Sequence, residues 1–291
     1  MLSSSARSLT FAVAAFYAVL GTLLFLAPHW AAPNFAWKVS PLVAMTIGGW
    51  CLGNAWAAYV VARRWRFSLI LSGLVYLALF GLFQTGVVIS FWPVLKLGHW
   101  LAWLYLAALA LNLVQAIVWV IDALRTRPAI ETLGGRTSSR DIAVDVAFIL
   151  LVAFLGLYGL LSPQGARGLH GGIFPEILTP FSLRAFGAFY LSVALGPLTL
   201  IIVRGVDSAL THMYLSWGLI LFITLAALAF IGVFDLTGRP GQWIYLGIYV
   251  AVGLVTAIYM LRGGTGGRGA RDQPFDAPVF AFSSPPPAPP P

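Results

Sequence analysis

Apolar residues fill this chain in eight long blocks separated by short polar stretches: Leu9–Leu26, Pro41–Ala62, Phe67–Ser90, Leu97–Ile121, Ile142–Leu161, Phe181–Val203, Leu210–Phe234 and Gln242–Leu261. A helix rises ~1.5 Å per residue, so ~20 apolar residues cross the ~30 Å hydrocarbon core of a bilayer, and every block is near or above that length. The period-two alternation of a membrane β-barrel is missing, so the blocks predict helices. The first block, preceded by Arg7, is read as a retained helix because no small-x-small cleavage pattern follows it.

Composition turns these helices into membrane spans. Sixty percent of residues are hydrophobic and 9% charged, where soluble domains carry roughly a quarter charged residues. One water-soluble core cannot hide that much apolar surface, and lipid must serve as part of the solvent. The formal charge of +8 raises the question of nucleic acid, but the positions of the charges exclude it. With the N-terminus inside, that side receives Arg7, Arg63, Arg64, Arg66, Arg125, Arg127, Arg136, Arg140, Arg204, Arg262, Arg268 and Arg271, twelve in all. The other side receives Lys38, Lys96, Arg167, Arg184 and Arg239, which is five. Such a bias predicts both termini in the cytoplasm, from a plasma or bacterial inner membrane. The lone cysteine, Cys51, lies inside an apolar block and leaves no intramolecular disulfide.

The blocks divide into two sets of four. Gly21 and Pro28 close the first block as Gly156 and Pro163 close the fifth, with the same spacing. Pro41 opens the second as Pro180 opens the sixth, and Arg64 and Arg204 end them. Leu71-Ser72 and Leu215-Ser216 are expected at matching depths, which sets His212 level with Ser68. The expected fold is therefore all-α: a polytopic membrane protein of eight transmembrane helices in two parallel four-helix repeats. Residues 1–121 form the first repeat, 122–141 a basic cytoplasmic linker, 142–262 the second repeat, and 263–291 a flexible Gly/Pro-rich cytoplasmic tail able to dock on a partner. The outer loops Pro28–Ser40 (with His29, Trp30, Trp37 and Lys38) and Ser162–Pro180 (with Arg167, His170 and Glu176) are expected at headgroup level.

Three groups of residues are candidates for function. Gly49, Gly53 and Ala57, and Ala188, Ser192 and Gly196, form small-xxx-small seams that bring helix backbones together, inside each four-helix unit or against each other across a symmetry axis. Asn54, Gln84, Asn112 and Gln115 are deep neutral polar residues that either line a cavity or bond neighbouring helices. His99 and His212 each precede a tryptophan by about one helical turn, the pattern of an interfacial histidine or of a tetrapyrrole ligand, but at opposite ends of the bilayer. Asp145 and Arg184 lie within reach of an interface to which they can snorkel. Walker, GxSxG, HExxH and CxxC motifs are missing, and no histidine or cysteine has a second ligand at metal spacing, so neither an enzyme nor a metal site is expected.

The segment Leu155–Leu200, with Pro163 followed by Leu183-Arg184-Ala185-Phe186-Gly187, resembles the small four-helix bacterial membrane proteins loosely called DoxX-like. The first half keeps Pro28 and Gly48 and carries Met45 where that pattern has arginine. The resemblance implies a four-helix membrane unit in tandem and no particular substrate. Three function classes stay open: an accessory or scaffolding subunit among other membrane-protein subunits, a transporter or binder of a hydrophobic or lipid-like ligand between the repeats, and a pigment- or haem-binding subunit.

Overall fold

The computed structural model describes residues 2–162 and 172–266. In chain order the helices are α1 (Ser4–Leu26), α2 (Pro28–Asn34), α3 (Pro41–Arg64), α4 (Phe67–Ser90), α5 (Trp100–Thr126), α6 (Ser139–Leu161), α7 (Pro180–Leu195), α8 (Leu198–Val203), α9 (Val206–Ala229) and α10 (Gln242–Gly266). Among the described residues the only extended pairing is one isolated bridge, Arg136 with Gly205.

Hydroxyl caps set the helix starts. Ser3, Ser40 and Thr179 accept from Ala6, Val43 and Ser182 backbone N–H groups, and Ser138 forms a capping box with Asp141. These caps start α1 and α6 upstream of Leu9 and Ile142, where the apolar blocks begin. Phe181–Val203 is not one helix: Pro197 has no N–H, and a turn at Gly196-Pro197 separates α7 from α8. At the far end Gly263–Gly266, expected in a flexible tail, form the last turn of α10. The rest of that tail, and Pro163, Arg167 and His170, lie outside the described residues.

Six of these segments are long and apolar enough to cross a membrane: α1, α4, α5, α6, the α7–α8 pair and α9. The chain is an integral membrane protein with several spans. α10 adds a shorter apolar run, Gln242–Ile258. α3 is long enough but less apolar, for a physical reason. Of its 24 residues 17 are buried, and the exposed ones, Trp56, Tyr59 and Arg63, share one narrow stripe, so protein rather than lipid surrounds most of it. It can therefore be built of glycine, alanine, threonine and asparagine.

Small residues make that burial feasible, because close backbone approach gains the van der Waals contact that drives helix association in lipid. A Cβ on Gly48 would lie 2.6 Å from the Phe25 backbone nitrogen of α1, and one on Gly21 would lie 2.7 Å from Leu52 N. α6 and α7 meet in the same way: a Cβ on Gly187 would lie 2.6 Å from Leu160 N, and one on Gly156 would lie 2.8 Å from Leu191 N.

The linker is shorter and better held than expected. α5 runs on to Thr126 and α6 begins at Ser139, and the residues between fold back over α9. Val206 N–H donates to Gly135 O (3.1 Å), Asp207 N–H to Leu133 O (3.2 Å), and Thr137 N–H to Arg204 O (2.9 Å). Glu131 pairs with Arg66 at 2.6 Å, and its N–H donates to Ser68 Oγ. Gly134 and Gly135 have φ of 70° and 88°, a region that favours glycine.

Adding one methyl group should separate crowded from open glycines. Gly48→Ala and Gly187→Ala are each expected to cost about 1–3 kcal/mol through overpacking. Gly86→Ala, where a Cβ meets nothing within 4 Å, is expected to cost nothing. Thermal midpoints of the three purified variants in one detergent provide the measurement.

Candidate functional site

None of the deep polar residues Asn54, Gln84, Asn112 and Gln115 is among the lining of the cavity described below. They bond neighbouring helices. Tyr76 OH donates to Asn54 Oδ1 at 2.5 Å, joining α4 to α3. Gln84 Nε2 donates to the Ala185 carbonyl of α7 at 2.8 Å. Asn112 Nδ2 donates to Tyr17 OH (3.0 Å) and to Leu77 O (3.1 Å), and Gln115 Nε2 donates to Thr10 Oγ1 at 3.0 Å. At the same seam Ser3 Oγ donates to the Asp122 carboxylate. Ser3, Thr10 and Tyr17 are seven residues apart, one face of α1, and together they close α1 onto α5. A dry interior leaves such groups little alternative to bonding one another.

The small-residue seams reach different partners from those expected. They neither stay within one set of four helices nor meet each other. A Cβ on Gly53 would lie 2.4 Å from Leu219 Cδ2, and one on Gly49 would lie 3.2 Å from the Phe222 carbonyl, both on α9. A Cβ on Gly196 would lie 2.8 Å from Tyr76 Cβ on α4. Ala57, Ala188 and Ser192 are buried. Between α3 and α7 it is rings that meet: Trp50 stacks on Phe189 at 4.5 Å and 7°, with Phe186 edge-on at 4.6 Å. Rings stacked or edge-on at such distances gain about 0.5–1.5 kcal/mol beyond their burial.

The outer loops are drawn inward. Trp37, expected at headgroup level, is only 2% exposed. It stacks on Phe181 at 4.0 Å, and its Nε1 donates to Ser182 Oγ at 2.9 Å. Glu176 makes the opposite crossing, accepting from Ser40 Oγ beside the start of α3. Burial raises the Glu176 pKa above its ordinary 4.5, while the Ser40 bond opposes the shift. Arg184 Nη1 donates to Gly159 O and Ser162 O, both at 2.8 Å, and so satisfies carbonyls at the end of α6.

One substantial cavity, of about 320 Å³, lies elsewhere, between α6, α7, α9 and α10. Its wall is largely apolar: Phe148, Val152, Val193, Ile223, Ile248 and Val252 are among the lining residues. Ala147 and Leu151 of α6, and Ala251 and Val255 of α10, line it and are also exposed, so the cavity opens sideways between those two helices. Its polar groups are few. Tyr190 and Tyr249 hydroxyls bond each other at 2.7 Å. His212, from the start of α9, sits between Ser72 Oγ (3.1 Å from Nδ1) and Ser216 Oγ (3.3 Å from Nε2). Thr256 is on the α10 wall, and Asp145 is on the α6 wall near the end where α1 also begins.

His212 therefore faces a cavity, with both ring nitrogens engaged by serines, and ligation of a metal would have to displace one of them. His99 is the N-cap residue of α5 beside the exposed Trp100 and Trp103, far along the chain from any lining residue. The starts of α4 and α9, Phe67 and Val206, are 139 residues apart. Counted from those starts, His212 is the seventh residue of α9, Gly73 the seventh of α4 and Ser68 the second. The polar period of α1 could have found the α1–α5 seam. Nothing in the sequence marks the Tyr190–Tyr249 pair or the cavity. No family model matches this chain, and no curated protein or solved structure matches it.

Two outcomes follow from these bonds. Asn112→Leu removes two interhelical bonds and is expected to lower stability by about 1–2 kcal/mol, near the upper range for such bonds in membranes, measured by thermal unfolding in detergent. For Glu176 the folded state binds the proton more tightly than the unfolded state does. Stability is therefore full below pH 4.5 and falls as pH rises through the higher folded value. Glu176→Gln is expected to flatten that part of a stability–pH profile, and an unchanged slope would show that Glu176 is not its source.

Proposed function

We propose that this chain is a non-catalytic protein of eight spans in two parallel four-helix repeats, the first a closed scaffold and the second a binder of an apolar, lipid-like molecule. The observation that carries the reading is the contrast between two corresponding places. Ser3, Thr10 and Tyr17 close α1 onto α5. The residues 135 positions later are Ser138, Asp145 and Val152. The last two line the cavity instead of bonding a partner helix. An apolar cavity that opens sideways suits a ligand that arrives through the bilayer, and its size is at the small end of ligand pockets, ~300–1,000 Å³.

Several spacings support the repeat. Pro41 and Pro180, Phe67 and Val206, and Trp92 and Ile231 each begin corresponding helices or 3₁₀ turns, and each pair is 139 residues apart. The capping residues Ser40 and Thr179 keep that distance. So do Trp50 and Phe189, which stack on each other. Self-pairing of corresponding residues is what a two-fold axis produces. Corresponding glycines also crowd corresponding neighbours: Gly21 meets Leu52 as Gly156 meets Leu191, and Gly48 meets Phe25 as Gly187 meets Leu160. A four-helix unit of the DoxX-like kind fits this pattern. The excess of arginine on the side of the termini supports placing that side in the cytoplasm.

Purification of the full chain in mild detergent, followed by native mass spectrometry and solvent extraction, tests the reading. One apolar molecule per chain is expected, and its occupancy should fall in Val193→Phe and Ala251→Phe, which fill the cavity, while the thermal midpoint is kept. Identical extracts from wild type and filled variants would overturn it. The same preparation tests a second reading, that of an accessory subunit. Arg125, Arg127, Arg136 and Arg140 are all exposed on or beside the pinned linker, a basic surface suited to an acidic partner. A stoichiometric protein lost on replacing those four arginines is the result that reading expects.

A further inference from the structure

The cavity carries one feature that a purely apolar ligand would not use. Asp145 places a carboxylate on a wall that is otherwise almost wholly hydrocarbon. Among the described residues nothing donates a hydrogen bond to it and no cation pairs with it. An ionisable group on a membrane helix usually finds a partner or marks a functional path, because leaving it alone in a poorly solvated place is costly. Its counterpart in the first half, Thr10, is an uncharged hydroxyl engaged by Gln115. The charge is thus specific to the half that has the cavity.

The other polar groups on the wall cannot neutralise it. His212 is bracketed by Ser72 and Ser216. Tyr190 and Tyr249 bond each other. Asp141, one turn towards the helix start, is engaged in the capping box with Ser138, and its negative charge adds to that of Asp145. An anionic headgroup would be repelled here, and a neutral one would leave the carboxylate without a counter-charge.

We propose that the ligand is a cationic amphiphile, an alkyl or ring-bearing amine, whose ammonium group pairs with Asp145 while its apolar body lies along the cavity. This rests on the reading of the cavity as a lipid-like binding site. The dimensions suit such a molecule. From Asp145 to Val152, both on the wall, α6 rises about 10 Å. Asp145 lies in the second turn of α6, near the membrane interface, where a charged head is least costly. The side opening between α6 and α10 admits the tail from lipid.

The test uses the full chain in nanodiscs of neutral phosphatidylcholine and three radiolabelled probes of equal length: dodecylamine, dodecanol and dodecanoate. Binding that is saturable and abolished by Val193→Phe counts as cavity binding. The amine is expected to bind about tenfold or more tightly than the alcohol, since an opposite charge at close range in a partly screened site outweighs that difference. Dodecanoate is expected to bind weakest. Asp145→Asn, which preserves shape, should bring amine and alcohol within about twofold and leave alcohol binding intact. Equal affinities in the wild type, or an amine preference that survives Asp145→Asn, would overturn this inference and leave the cavity reading standing. No saturable binding by any of the three probes would count against the cavity reading itself.

Discussion

The constraint on which the rest of this structure depends is how closely the backbone of α3 approaches its neighbours. In lipid no hydrophobic force holds helices together, so association rests on dispersion contact and on bonds between polar groups. Gly48 lets α1 lie against α3 on one side, and Gly49 with Gly53 lets α9 lie against it on another. Covered in this way on most of its surface, α3 exposes only a narrow stripe with Trp56 and Tyr59, and its composition follows. Its remaining approach, towards α7, is filled by the stacked rings of Trp50 and Phe189. The two sets of four helices are thus held together by exchange: α3 packs on α9, while α7 receives Gln84 of α4 at its backbone and packs Gly196 against Tyr76.

Against that shared frame the two sets differ in how their outer helices meet. In the first, a line of hydroxyls on α1 finds an amide, an amide and a carboxylate on α5, and the seam is shut. In the second, α6 carries Asp145 and Val152 on the cavity wall, and α10 offers Ala251, Val252 and Val255 across the gap. The helices remain in place because α7 and α9 hold them from behind, but the space between them is left unfilled. A void forfeits the dispersion contact of its lining. Filling it with an amphiphile restores that contact, and pairing Asp145 relieves its unpartnered charge. Packing and the proposed function thus point the same way.

Much of this was legible in the chain. The apolar blocks located the helices because length and hydropathy decide membrane crossing almost without regard to partners. Pro41 and Pro180 marked helix starts through local stereochemistry alone. Depth matching was less secure. Leu71-Ser72 and Leu215-Ser216 look alike and are 144 residues apart, yet the helices that contain them begin 139 residues apart. Trp37 read as an interfacial residue, because tryptophan at a helix end usually is one. Its burial depends on Phe181 and Ser182, residues nearly half the chain away.

By itself, then, the sequence determined the class of protein and the placing of its long apolar helices, since each follows from local composition and spacing. It also marked the small-residue seams as places where helices would meet, and left the deep amides open between a cavity and interhelical bonds. Only the tertiary structure decided which helices they would join, and that Asn54, Gln84, Asn112 and Gln115 would each bond a neighbouring helix. It likewise decided that Asp145, Tyr190, His212 and Tyr249 would surround one open space. A cavity is a property of what fails to meet, and that depends on the packing of four helices at once, which no single stretch of chain encodes.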